Sequence, residues 1–157
     1  MKKILITYYS LTENTKKMAE IIEKAIDKTK FEVMFKTVEK TTKKDMLAAD
    51  AIIVGTPTYY GLPSKEIVEL LTERVRPHGL LEGKIGAAFS SSNNVGGGNE
   101  TAILAVLDAM LVHGMIIQGL TRGDHYGPVS IGEPDARATG FCQNLAQKVC
   151  DLLERLS

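Results

Sequence analysis

Cysteine is scarce in this chain, charge of one sign is not in surplus, and long apolar runs are missing; each absence closes off a class of protein. The two cysteines, Cys142 and Cys150, are eight residues apart in what reads as one terminal helix, a rise of about 12 Å. A disulfide needs Cα atoms roughly 4.4–6.8 Å apart, so the pair cannot close within that helix. Neither histidine nor a third cysteine accompanies them at metal-ligand spacing, so no metal site is expected and their expected role is packing. A reduced thiol pair fits a cytoplasmic setting. Nineteen basic and nineteen acidic residues cancel, which gives no indication of a nucleic-acid grip, a membrane-surface patch or an acidic tail. Small molecules are the expected partners. The opening Met1-Lys2-Lys3 leads into too few apolar residues for a signal peptide, and no apolar stretch reaches spanning length. A soluble chain without membrane insertion is therefore expected.

What is present is organised as alternating short elements. With 157 residues the chain has the size of a single domain, able to bury about two-thirds of its unfolded surface. Apolar runs at Ile4–Ile6, Ala51–Val54, Ile85–Phe89 and Met115–Ile117 suit strands covered on both faces. Residues 31–36, Phe-Glu-Val-Met-Phe-Lys, alternate more clearly, as a sheet-edge strand would, with Lys36 guarding that edge. Between them, Met18, Ile21, Ile22 and Ala25, then Ile67, Leu70 and Leu71, then Ile103, Leu104, Leu107 and Leu111, and finally Leu145, Val149, Leu152 and Leu156 recur at helical steps. A shorter helix is expected over Lys43–Ala48. The order β-α-β-α-β-α-β-α-β-α requires right-handed crossovers and places helices on both faces of a parallel sheet. The expectation is one doubly wound α/β domain over residues 1–157.

In such sheets ligands bind beyond the carboxyl ends of the strands, and three loops share that end. After the first strand come Ser10, Leu11, Thr12, Glu13, Asn14 and Thr15, rich in hydroxyls at the start of a helix. Free N–H groups of a helix's first turn and its dipole favour a phosphate there, although Ser, Thr and Asn also serve as ordinary N-caps. After the third strand, Pro57, Thr58, Tyr59, Tyr60 and Gly61 set an aromatic pair on a tight turn, suited to stack on a flat ring or to sit at a rim. After the fourth, Ser91, Ser92, Asn93, Asn94, Val95, Gly96 and Gly97 offer amides and small side chains, either for a ligand's polar edge or as flexibility before a helix.

Competing occupants fail on their own requirements. The G-x-G-x-x-G of a dinucleotide fold and the G-x-x-x-x-G-K-[ST] of a P-loop are absent. A phosphate-receiving regulator would need carboxylates where Tyr8, Tyr9 and Gly55 stand, and a cysteine phosphatase would need a thiolate in the first loop.

Tyr9-Ser10-x-Thr12-x-Asn14-Thr15 resembles the phosphate loop of flavodoxins, which bind FMN. Gly55-Thr56-Pro57-Thr58-Tyr59-Tyr60-Gly61, the Gly83–Ser91 segment with its following glycines and Glu100-Thr101, His113-Gly114-Met115, and Tyr126-Gly127 with Ile131-Gly132 are similar to WrbA-type NAD(P)H:quinone oxidoreductases. The resemblance spans nearly the whole chain. It implies a flavodoxin-like five-stranded sheet of order 2-1-3-4-5, with Ser10–Thr15 holding the FMN phosphate. It further implies that Pro57–Gly61 flank the isoalloxazine and that Ser91–Gly97 bond its pyrimidine edge. The implied activity moves electrons from NAD(P)H to a quinone or similar acceptor, in a dimer or tetramer, with no obligatory catalytic side chain. The rival is a flavodoxin carrier serving a redox partner protein, which the balanced charge disfavours. Residues 39–50 and 76–83 are shorter than in that family, tryptophan is absent, and Tyr59 replaces a basic residue.

The histidines divide. His125 and Tyr126 are expected to follow the fifth strand and line an acceptor pocket. His113 precedes that strand, at the opposite end of the sheet, where it is read as a helix C-terminal histidine. If it touches a flavin, that flavin belongs to another subunit. His78 is read as capping a loop.

Overall fold

A computed structural model describes residues 1–157. Strands β1 (Lys2–Tyr8), β2 (Phe31–Thr37), β3 (Ala51–Pro57) and β4 (Ile85–Ser92) are joined by helices α1 (Asn14–Ala25), α2 (Lys43–Ala48) and α3 (Lys65–Thr72). Then follow α4 (Asn99–Val112), the short strands β5 (Ile116–Ile117) and β6 (Val129–Ile131), and α5 (Ala136–Arg155). All pairings are parallel, in the expected order β2-β1-β3-β4-β5. The sheet is doubly wound, as the alternation of elements led us to expect.

Two apolar layers hold the helices. On one face Ile4, Ile6, Ile53 and Phe89 meet Met18 and Ile22 of α1 and Leu145 and Val149 of α5. On the other, Leu5, Ile52 and Val54 meet Ile67 and Leu70 of α3 and Ile103, Val106 and Met110 of α4. Alternation along each strand sends successive side chains to the two layers, so β1 and β3 are buried almost throughout. Gly55 is required by that packing. A Cβ there would lie 2.2 Å from the Phe89 ring, which crosses over the glycine from the neighbouring strand.

One expectation is corrected. The fifth strand is not one element but two collinear pieces on the same edge of β4. Ile116 and Ile117 pair with Ile85 and Gly86 at its start, and Val129 to Ile131 pair with Ser90 to Ser92 at its end. The sheet therefore has six strands rather than five. Between the pieces the chain makes an excursion, pinned where the Gly127 backbone crosses the Ala88 carbonyl so closely that a Cβ would fall 2.0 Å from that oxygen. Lys36, expected to guard the β2 edge, pairs with Asp45 of α2 at 2.8 Å. No helix is long and apolar enough to cross a membrane.

Candidate functional site

Helix capping marks the functional end of the sheet. Thr42, Ser64 and Asp135 cap α2, α3 and α5 with their side chains. The helices α1 and α4 have no side-chain cap; each begins on a left-handed residue, Glu13 at φ 71° and Gly98 at φ 95°. Main-chain N–H groups from Ser10 to Thr15 find no acceptor in the protein; the first amides of this stretch to do so belong to Lys16, donating to Ser10 Oγ at 3.3 Å, and Lys17, donating to Glu13 O at 2.9 Å. At α4 the amides of Gly98 to Thr101 are equally without acceptors until Ala102 donates to Gly98 O. Buried helix ends are normally satisfied by caps. Here Thr15 is 1 % exposed, so a row of donors converges on a partly enclosed position with no protein group to receive them.

The three loops are locked to one another. Thr15 Oγ1 and Ser91 Oγ share a hydrogen bond of 2.9 Å, joining α1 to the end of β4. Thr58 N donates to Ser91 O at 2.9 Å, and the Thr58 and Ser90 hydroxyls pair at 2.9 Å. Thr101 Oγ1 donates to Gly61 O at 2.7 Å, while the backbones of Gly98 and Gly61 touch so closely that a Cβ on Gly98 would lie 2.5 Å from Gly61 Cα. Asn99 Nδ2 donates to Ser92 Oγ, which in turn donates to Asn94 O. Thr56, Ser90 and Thr101 entered only as part of the family resemblance, and Gly98 and Asn99 were not among the expected contact residues. Their signal was present as hydroxyls and amides at strand ends, but only the fold shows that they join different loops.

Ser10 to Thr15, Pro57 to Gly61 and Ser91 to Gly97 thus gather at one end. Tyr60 stands fully in solvent at φ 54°, and Leu11, Leu62 and Val95 are exposed as well. Tyr59 is only partly exposed; burial, with Tyr9 and Glu66 nearby, pushes its phenol above the usual range. Glu13 turns its carboxylate to Lys16 at 3.2 Å, and that hydrogen bond raises the ammonium's pKa. A polar pocket of about 640 Å³ flanks the fourth-strand loop, with Val95, Gly98 and Ser130 in its walls and the Asp124–Arg137 ion pair beside them.

The remaining expected residues lie elsewhere. His125 and Tyr126 follow β5, as expected, within the excursion that separates it from β6. His125 Nδ1 bonds to Leu120 O at 2.8 Å, and the stretch runs beside the middle of β4 because Gly127 is wedged against Ala88. His113 is the C-cap of α4, buried at the amino end of the sheet, with Nε2 2.5 Å from Leu71 O. Its ring lies beside that of His78.

The donor set suits a phosphate ester of a flat ring. The first loop offers uncapped amides, and two neighbouring turns offer aromatic and amide edges. Comparison with known proteins gives the family. The flavodoxin domain family matches residues 5–122. A protein named flavodoxin from Aquifex aeolicus is 38% identical over 96% of this chain and 86% of its own length. One named NAD(P)H dehydrogenase (quinone) from Archaeoglobus fulgidus is 30% identical over 99% of this chain and 100% of its own. Among solved structures, a WrbA-like flavodoxin from Agrobacterium tumefaciens superposes with a TM-score of 0.80 at 19% identity, over 99% of both chains. Sequence match, sheet order and fold agree, and this chain belongs to the flavodoxin domain family.

Proposed function

We propose that the whole chain acts as one FMN-binding domain, an oxidoreductase that takes electrons from NAD(P)H and passes them to a quinone or similar acceptor. The observation that carries the FMN reading is the row of unpartnered amides from Ser10 to Thr15 at the uncapped start of α1. Those amides, with the Thr12 and Thr15 hydroxyls, would hold the phosphate. Pro57 to Gly61 would flank the ring, and the free amides of Asn93 to Gly96 would meet its polar edge. Bound FMN would supply the redox chemistry, accepting and releasing electrons. The protein's part is to fix the ring's position and surroundings. Locked loops hold the site without an ordering cost on binding, and Tyr59 and Tyr60 give the ring an apolar wall that sheds water. No side chain there is needed as acid or base. Support for the activity comes from relatives named NAD(P)H dehydrogenase (quinone) that align over the full chain. This reading expects a dimer or tetramer, because one chain leaves the loop end open.

A second reading, a carrier that docks on a redox partner protein, is favoured by two observations. Relatives at 38% and 36% identity are named flavodoxin, and Leu11, Tyr60, Leu62 and Val95 on or beside the loops are exposed apolar side chains. Steady NAD(P)H oxidation that depends on added benzoquinone supports the reductase; its absence in a protein that holds FMN supports the carrier.

The cradle has its own test. Thr12 is exposed and its hydroxyl makes no hydrogen bond within the protein, so Thr12→Glu spares the fold. It is expected to weaken FMN at least about tenfold while leaving riboflavin nearly untouched, since the new carboxylate repels only the phosphate. Equal losses for both flavins would remove the assignment.

A further inference from the structure

The turn after β3 is anchored at its feet and barely tied at its tip. At the feet, Thr58 N donates to Ser91 O and Ser64 N to Thr56 Oγ1, both at 2.9 Å. The tip closes on itself, Tyr59 and Leu62 exchanging their amide and carbonyl bonds at 2.9 Å. Its two central residues both have positive φ, Tyr60 at 54° and Gly61 at 76°. Two-residue turns of that kind prefer Asn-Gly, and a bulky tyrosine in the left-handed region is strained. Tyr60 gains no packing in return, since it stands wholly in solvent. One hydrogen bond links this strained tip to the rest of the protein, from Thr101 Oγ1 in the first turn of α4 to Gly61 O at 2.7 Å.

The Thr101 hydroxyl has a single proton and two acceptors within reach. Gly98 O lies 2.8 Å from it, but that carbonyl already receives the Ala102 amide at 3.0 Å, whereas nothing else donates to Gly61 O. The hydroxyl therefore favours Gly61 O, and turning to Gly98 O frees the tip while keeping one hydrogen bond. We propose that Thr101 is a positioning residue, a latch whose hydroxyl holds Tyr59 and Tyr60 in place beside the flat ring and releases them by changing acceptor. The role toward the ring rests on the FMN reading; the latch itself does not. Gly98 gives the latch its seat, because its backbone meets Gly61 so closely that a Cβ would lie 2.5 Å from Gly61 Cα. Strain at Tyr60 works toward opening, so the closed tip depends on this one bond.

Thr101 is exposed, so its variants leave the core intact. In the flavin-free full chain, Thr101→Val should speed hydrogen exchange of the Tyr59 and Leu62 amides about three- to tenfold, as loss of one hydrogen bond does, and leave the Thr58 and Ser64 amides as they were. Thr101→Ser, which keeps the hydroxyl, should exchange as the unaltered chain does. Riboflavin and FMN should both bind Thr101→Val about three- to tenfold more weakly and by the same factor, because the phosphate cradle is untouched. Thr101→Ser should restore both affinities. Unchanged exchange at Tyr59 and Leu62, or a serine variant that behaves like the valine one, would overturn the latch. Faster exchange with riboflavin affinity unaltered would overturn its role toward the ring. An unaltered chain that binds neither flavin would remove the FMN reading and that role with it, while the exchange result still decides the latch.

Discussion

Single residues set the terms at both ends of the sheet. Glu13 occupies a left-handed conformation that glycine takes freely, and it belongs to the loop of the proposed phosphate cradle, its carboxylate answered only by an exposed ion pair with Lys16. Exposed pairs of this kind add little, so Glu13→Gly is expected to stabilise the protein by about 1 kcal/mol. It should also tighten FMN by removing a like charge. Urea unfolding and fluorescence titration check both, and a loss of FMN affinity would mean that the side chain itself holds the ligand. Gly55 is the opposite case. Any side chain there drives the Phe89 ring out of the core, and Gly55→Ala should cost about 1–3 kcal/mol in urea unfolding. The cysteines are inert by burial, which pushes the Cys142 thiol up to about 12 and the Cys150 thiol up to about 11. A thiol reagent at pH 8 should label neither in the folded protein and both in urea.

Elements divide by how they begin. Side-chain caps close α2, α3 and α5, and the exceptions are the two helices whose first turns face the loop cluster. The capping box of α2 shows what a closed start contributes. Asp45 receives the Thr42 amide, and Lys36 is the main influence drawing its carboxyl down from 3.8 to about 2. A carboxyl so depressed stabilises the fold above about pH 4 and loses that contribution as pH falls through about 2. Asp45→Asn should accordingly cost about 0.5–2 kcal/mol at pH 7, and its difference from the unaltered chain should vanish near pH 2 in acid-dependent unfolding. Helix positions were legible in the sequence because apolar residues recur at three and four steps; the Lys43–Ala48 helix was read to its ends. The turns of α5 before Cys142 were not, since they bury only Ala138, a small residue that leaves no strong period. The three-residue β6 carries no pattern of its own and exists through its pairing with β4.

At the scale of the molecule, the doubly wound architecture followed from the alternation of elements, sheet order from the resemblance, and the loop cluster from the strands being parallel. The split edge strand was beyond reach, because nothing local in Gln118 to Pro128 says that the chain leaves the sheet and returns to it. His125 and Tyr126 lie within that excursion, after β5 and before β6. Hydrogen bonds between loops were invisible for the same reason: Thr15 and Ser91 are partners only in three dimensions. With basic and acidic residues in balance, electron transfer to a charged partner protein should depend only weakly on ionic strength. A steep fall in rate with salt, measured by stopped flow, would reveal a concentrated patch and favour a docking carrier.

The central claim is that the bare amides opening α1 grip a phosphate, and amide NMR reads those groups one by one. Titrating ¹⁵N-labelled protein with FMN should shift the Ser10 to Thr15 resonances strongly. Riboflavin should instead move those of residues 57–61 and 93–97 and leave the first loop nearly still. Shifts in the first loop that are the same for both flavins, or absent with FMN, would contradict the account.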